Sequence, residues 1–387
     1  MKANYKIALR IIGGEKWLGG VSYIELLARA VSTLPPMERP ELFLVAADSS
    51  LDDFYLHEHF LHCFDGIIYV GKDTTRASDQ IKHPWIHCSS YDELSEKIDF
   101  YYPVLMDVLP HRCAASWIPD FQYRYLPEIT SQEERLKLDL KYQEIADRAK
   151  LIVFSSNDAR EDFHGFYPDS KAVTKILSFH VEPDARWYDV NPRDIQNKFG
   201  LPDKYIICCN QFWAHKNFEV LFRSIRILKD NGHVIHVVCT GSTEDYRVRD
   251  YFTMIKQLIS ELDISDQVHI LGIISREEQI QLIRRSCLVV QPSLFEGWST
   301  IVEECRALGK TVVLSDLKVN LEQNPQHAIY FDRTDAEDLA QKLKHAYLAA
   351  AGPDLEREKV ARDNSVHLMR TFALQFSDIW QTAKQIF

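Results

Sequence analysis

The sequence predicts an α/β protein built from two doubly wound domains, and three observations predict it. Short β-branched runs alternate with amphipathic segments along most of the chain, the rhythm of βαβ units and parallel sheet. The 387 residues suffice for two to three domains at roughly 150 residues each. Between residues 181 and 202 apolar periodicity lapses around Pro183, Pro192, Gly200 and Pro202, which marks a boundary.

In the first half, residues 7–12 read as a strand and the Gly-Gly pairs at 13–14 and 19–20 bracket a loop. Residues 21–33 follow as a helix with Val21, Ile24, Leu27, Ala28 and Val31 on one face. Further strands are expected at 42–46, 66–70 and 151–155. The second half is clearer. Strands at 205–209, 235–240, 268–271, 288–292 and 311–314 alternate with helices at 218–229, 246–262, 276–284, 300–308 and 336–350, one complete doubly wound domain. The expected division is 1–185, 186–368 and a last helix, 369–387. That helix carries Phe372, Phe376, Ile379, Trp380, Ala383 and Phe387, a stripe that has to be buried, and the first domain is the expected place.

Composition narrows the function classes. Hydrophobic residues at 46% and charged residues at 26% describe an ordinary globular chain that needs no disulfide or metal staple. A net charge of −11 repels polyphosphate at long range and argues against a nucleic-acid-coating surface, while leaving room for a local anion site. The eight cysteines form no Cys-x-x-Cys pair, and Cys208, Cys209 and Cys239 sit in apolar runs as small hydrophobes, as in a reducing compartment. Residues 1–10, with Lys2, Lys6 and Arg10, lack a signal-peptide core, and no stretch reaches eighteen apolar residues. A cytoplasmic protein without a membrane span is expected, peripheral membrane contact being left open.

The sharpest chemical feature is residues 291–304, Gln-Pro-Ser-Leu-Phe-Glu-Gly-Trp-Ser-Thr-Ile-Val-Glu-Glu. A strand ends there, Glu296, Gly297 and Trp298 form a loop, and a helix opens near Ser299 with Glu304 one to two turns inside. The Ser299 and Thr300 amides lie at a helix N-terminus, which favours an anion. Carboxylates are poor phosphate ligands but good acceptors for the hydroxyls of a sugar diol. The plainer alternative makes Ser299 an N-cap and the glutamates first-turn acids. A second segment, Cys209-Asn210-Gln211-Phe212-Trp213-Ala214-His215-Lys216-Asn217, joins a strand to a helix, so Lys216 can reach a phosphate, or can be an ordinary solvated helix start.

The two glutamates seven residues apart after Pro-Ser-Leu-Phe, followed by Ala-Leu-Gly-Lys-Thr-Val-Val at 307–313, strongly resemble the retaining glycosyltransferases of family 4. The resemblance is strong over 205–315 and thin in the first domain. It implies the GT-B fold, two facing Rossmann-like domains with a cleft between them and the nucleotide sugar held mainly by the second. By it, Glu304 would hold the ribose, Glu296 a donor-sugar hydroxyl, and the Ser299 and Thr300 amides the pyrophosphate. Lys216 would neutralise the leaving diphosphate. The Gly19-Gly20 loop would approach the donor, and the turns at Gly241 and at Gly272-Ile273 the nucleotide. The family has Gly at Ser299, Pro at Ile301 and Arg at Gln211, so this site lacks one cation. Residues 117–128, aromatic with Asp120, Arg124 and Glu128 between, suit a saccharide acceptor or a core loop. Asp120 is a catalytic candidate there, Pro119-Asp120 replacing the family's His-Asp.

The resemblance implies transfer of a hexosyl group, UDP-glucose being the expected donor, to a saccharide or lipid-linked acceptor in polysaccharide biosynthesis. No cofactor is expected. No metal is expected either: His57, His59 and His62 do not share one face, and no Asp-x-Asp pair is present. Two rivals stand beside this reading, a nucleotide-sugar epimerase and a non-catalytic nucleotide-sugar-binding subunit. The Gly-x-Gly-x-x-Gly fingerprint of a nicotinamide dehydrogenase is missing.

Overall fold

The computed structural model describes residues 5–15, 17–350 and 353–387, so Lys2 and Lys16 lie outside the described residues. Fourteen strands among the described residues form two sheets, and every ladder pairing is parallel. The chain divides into two units. One comprises Met1–Phe121, Leu136–His180 and Val366–Phe387, the other Gln122–Arg135 and Val181–Ser365.

The first unit holds β1 (Lys6–Arg10), β2 (Glu41–Ala47), β3 (Gly66–Val70), β4 (Trp85–Cys88), β5 (Phe100–Leu105), β6 (Ala114–Ile118), β7 (Leu151–Phe154) and β8 (Val173–Ile176) in the order β4-β3-β2-β1-β5-β6-β7-β8. Four of these, β4, β5, β6 and β8, fall where the sequence pattern predicts none. The edge strands β4 and β8 are four residues each and half polar, too short to set a pattern. In β5, Pro103 interrupts the run, and it sits at the irregularity where the ladder to β6 shifts register. The helix Leu18–Ser32 opens three residues earlier than predicted, so Gly19 and Gly20 form its first turn rather than a loop. Gly20 packs on Gly13 so closely that a Cβ would stand 2.8 Å from the Gly13 Cα.

The final helix runs from Leu355 to Ile386, fourteen residues longer at its start than predicted. Its later part packs on the first unit as expected. Phe372, Phe376, Ile379, Trp380 and Ala383 are buried, and the Phe376 ring lies 6.2 Å from Phe100 and 5.5 Å from Tyr102. Phe387 stays exposed beneath the Lys150 ammonium.

The second unit holds β9 (Ile206–Cys209), β10 (Val237–Thr240), β11 (Val268–Gly272), β12 (Val289–Gln291), β13 (Val312–Ser315) and β14 (Ala328–Phe331), ordered β11-β10-β9-β12-β13-β14. This is the doubly wound order, with its direction of winding reversing between β9 and β12. The predicted elements recur here within a few residues, except that the helix predicted from 246 begins at Tyr251 and β14 is added. Ile206, Phe218, Leu221, Val237, Leu288 and Val313 lie in its core. Residues Gln122–Arg135 also belong to this unit: Gln122 Oε1 accepts from Arg247, and the Tyr125 ring lies 5.6 Å from Phe295.

Candidate active site

In a doubly wound sheet, ligands bind beyond the carboxyl ends of the strands where the winding reverses. Here those ends are β9 and β12, and the two chemistry-bearing segments leave from them. After β9, Phe212 is buried and stacks on Phe218, their centroids 4.1 Å apart, while its N–H donates to the Ser242 carbonyl at 2.8 Å. The anchored chain makes one tight turn, Ala214–Lys216, and Asn217 takes a left-handed conformation, φ 54°, that redirects it into the helix Phe218–Asp230. The Asn217 amide donates to the Pro292 and Arg333 carbonyls, tying the β9 loop to the segment after β12.

That tie brings Lys216 and Glu296 together. Lys216 Nζ lies 2.6 Å from Glu296 Oε1, and their side chains are 14% and 9% exposed. Fully buried Gln291 donates to the same Oε1 at 2.7 Å, and Asn210 donates to Gln291 Oε1 at 2.7 Å. An ion pair this withdrawn from water loses much hydration, and it is maintained because added hydrogen bonds satisfy the carboxylate. Both donors converge on Oε1, and Glu296 Oε2 has no partner among the described residues.

Glu304 repeats the arrangement. Arg276 Nη1 pairs with its Oε1, and its Oε2 is buried without a hydrogen-bond partner among the described residues. Each glutamate thus has one oxygen fixed by the protein and one left as an acceptor. The neighbouring Glu303 differs: Gln323 and Arg306 take its two oxygens. Asn210, Gln291, Arg276 and Gln323 escaped the sequence reading because a buried amide or arginine has no periodicity of its own.

The pyrophosphate expectation changes at Ser299. Its N–H donates to Gln323 Oε1 at 3.2 Å, so that amide is already engaged, and Ser299 occupies the N-cap position of the helix although its side chain makes no cap bond. The first-turn amides of the helix Thr300–Ala307 still have no acceptor within the helix. Gly297 and Trp298 line the half-buried loop before it.

Two turns complete the rim. Gly241 N–H donates to the Gly272 carbonyl at 2.8 Å, joining the β10 and β11 turns, and Ile273 beside them is exposed. Gly241 has φ 126°, and a Cβ there would collide with the Asn210 carbonyl, so glycine is required. Gln211 is half-buried on the same rim. Gly19, Gly20 and Asp120 belong to the first unit, Asp120 following β6, its carbonyl accepting from Tyr142 at 3.3 Å. His57 is buried against the Asp53 carbonyl, and His59 pairs with Glu25. Among the described residues no three His, Cys, Asp or Glu side chains are grouped to hold a metal ion.

Residues 192–359, which include both glutamates and Lys216, match the family model of glycosyl transferases group 1. That matched segment is similar to the group 1 glycosyltransferases. Over 241 residues it is 26% identical to the O-antigen chain mannosyltransferase RfbU of Salmonella typhimurium, a match that covers 62% of this chain and 58% of that protein. Among solved structures, Anabaena HepE in complex with UDP and glucose is similar at a TM-score of 0.65, with 14% identity and 99% of each chain covered. A glycosyltransferase from Rickettsia africae is similar at 0.62, with 15% identity and 99% of each chain covered. These structural likenesses show the fold: the chain is a GT-B protein with two parallel Rossmann-like sheets.

Proposed function

We propose that this chain is a group 1, retaining glycosyltransferase that moves a hexosyl group from a nucleotide sugar to a hydroxyl of a saccharide or lipid-linked acceptor in polysaccharide assembly. The observation that carries the reading is the pair of carboxylates at the β9/β12 reversal, each with one oxygen pinned and one open, beside a withdrawn lysine. Open carboxylate oxygens suit ribose and sugar hydroxyls. Lys216 suits the diphosphate, whose charge develops as the bond from the sugar's anomeric carbon to phosphate oxygen breaks. The acceptor oxygen bonds to that carbon on the face the nucleotide leaves, and Glu296 holds the sugar for that approach. On this reading Lys216 and the first-turn amides from Thr300 onward take the role a divalent ion has elsewhere, and the turns at Gly241, Gly272 and Ile273 meet the nucleotide.

The first unit is assigned acceptor recognition with Asp120 as its catalytic candidate, while Gly19 and Gly20 keep the donor-approaching role that the resemblance implies. UDP-glucose is one candidate donor, favoured by the likeness to HepE, which is solved with UDP-glucose; the mannosyltransferase relative favours a mannosyl donor. No described helix is long and apolar enough to cross a membrane, so a lipid-linked acceptor would be met from outside the bilayer by this segment of chain.

The test is product analysis with UDP-glucose and GDP-mannose, each with saccharide and lipid-linked acceptors in EDTA. Acceptor-dependent release of nucleoside diphosphate with a retained anomeric configuration is expected. An altered sugar nucleotide formed without acceptor would establish the epimerase instead. Binding of donor without any turnover would establish a non-catalytic subunit.

A further inference from the structure

The loop after β9 has a charge deficit at Gln211, and the second unit places a different guanidinium on that loop. Arg247, from the connection after β10, donates from Nη2 to His215 Nδ1 at 2.9 Å and from Nη1 to Gln122 Oε1 at 2.7 Å. Its guanidinium lies 5.2 Å from the ring centres of both Trp213 and Tyr246. Asp245 is buried, accepts the Ala214 and Arg247 backbone N–H groups at 2.9 Å each, and stands 3.8 Å from Arg247 Nε. The arm is therefore fixed from several sides.

Arginine has donors only, so His215 Nδ1 must accept. The ring is then neutral with its proton on Nε2, in accord with its environment: burial, and then the charges of Lys216 and Arg247, push its pKa well below the usual range. His215 is 5% exposed, yet Nε2–H has no acceptor among the described residues. This donor sits on the same short turn as Lys216.

We propose that His215 donates its Nε2–H to the diphosphate of the bound nucleotide, with Arg247 as the positioning residue that fixes the donating tautomer and supplies the positive charge missing at Gln211. The inference rests on the nucleotide-sugar reading above and adds two residues to it.

The experiment compares the affinities of a nucleoside diphosphate and its monophosphate by calorimetry, using UDP and UMP or GDP and GMP, whichever pair the unmutated protein binds more tightly. A hydrogen bond to a charged group predicts that His215→Phe lowers the diphosphate-to-monophosphate ratio at least about tenfold. His215→Gln, whose amide places a donor near Nε2, should restore most of that ratio. Arg247→Met should lower it as well, and Arg247→Lys less. A folded His215→Phe protein with an unchanged ratio overturns the proposal. Should His215→Phe fail to fold, an unchanged ratio in Arg247→Met overturns it. Absence of diphosphate binding in the unmutated protein defeats the nucleotide-sugar reading itself, a different outcome from either.

Discussion

Glu296 and Glu304 have the same side chain and the same division of oxygens, but different partners, and that separates their expected roles. Glu304 is held by Arg276 alone on one oxygen, with the other sealed from water. On the proposed reading its removal deletes an acceptor for the nucleotide, so Glu304→Ala should weaken nucleoside diphosphate binding by tenfold or more, read by calorimetry. Glu296 pairs with Lys216, which on the proposed reading meets the developing charge, so Glu296→Ala should chiefly lower kcat. Gln291→Leu tests the pinning. It removes one of the two donors to Glu296 Oε1 and the oxygen acceptor of the Asn210 amide, and kcat should fall about tenfold with little change in KM. A raised KM with kcat unchanged would place Gln291 in ground-state binding instead. Lys216, Glu296 and Glu304 were legible in the sequence because loop carboxylates and a lysine between strand and helix are conspicuous. Gln291 and Arg276 were not, since their roles exist only once β9, β11 and β12 lie side by side.

Among elements, β13 is entered through a lysine with no route to water. Lys310 is buried, and its ammonium donates to the Arg284 and Ser286 carbonyls. Burial pushes its pKa down from 10.5 to about 8. Between these values the unfolded chain binds the proton more tightly than the folded one, so this group's contribution to stability rises as pH increases from about 8 toward 10.5. Urea unfolding at pH 7.5 and 9.5 should therefore show a gain for the unmutated protein relative to Lys310→Met, on the order of 2 kcal/mol. A pH-independent difference between the two would contradict it. The last helix gives a second test. Phe376 is fully buried between Phe100 and Tyr102, and Phe376→Ala should cost about 3–5 kcal/mol in denaturant unfolding. The aromatic stripe was readable at 3.6-residue spacing. The fourteen residues before it were not, because most of them are charged or exposed and carry no apolar face.

At the scale of the molecule, sequence rhythm was enough for the fold class and for the second sheet almost strand by strand. It fell short in the first sheet, where β5 carries a proline and β6, Ala-Ala-Ser-Trp-Ile, has a single β-branched residue. It also missed that Gln122–Arg135 folds with the second unit, since a single tyrosine against Phe295 and one glutamine on Arg247 leave no local pattern. The order of strands, which no local pattern encodes, is what turns two separate motifs into one site at the β9/β12 reversal. The most direct test of that site is calorimetric titration of the full chain with UDP, GDP, ADP and NAD in EDTA, repeated on Lys216→Ala and Glu304→Ala. Tight metal-free binding of one nucleoside diphosphate, weakened at least tenfold in both variants, is the predicted result. Binding of none, binding only after a divalent ion is added, or affinities unchanged in both variants would contradict it.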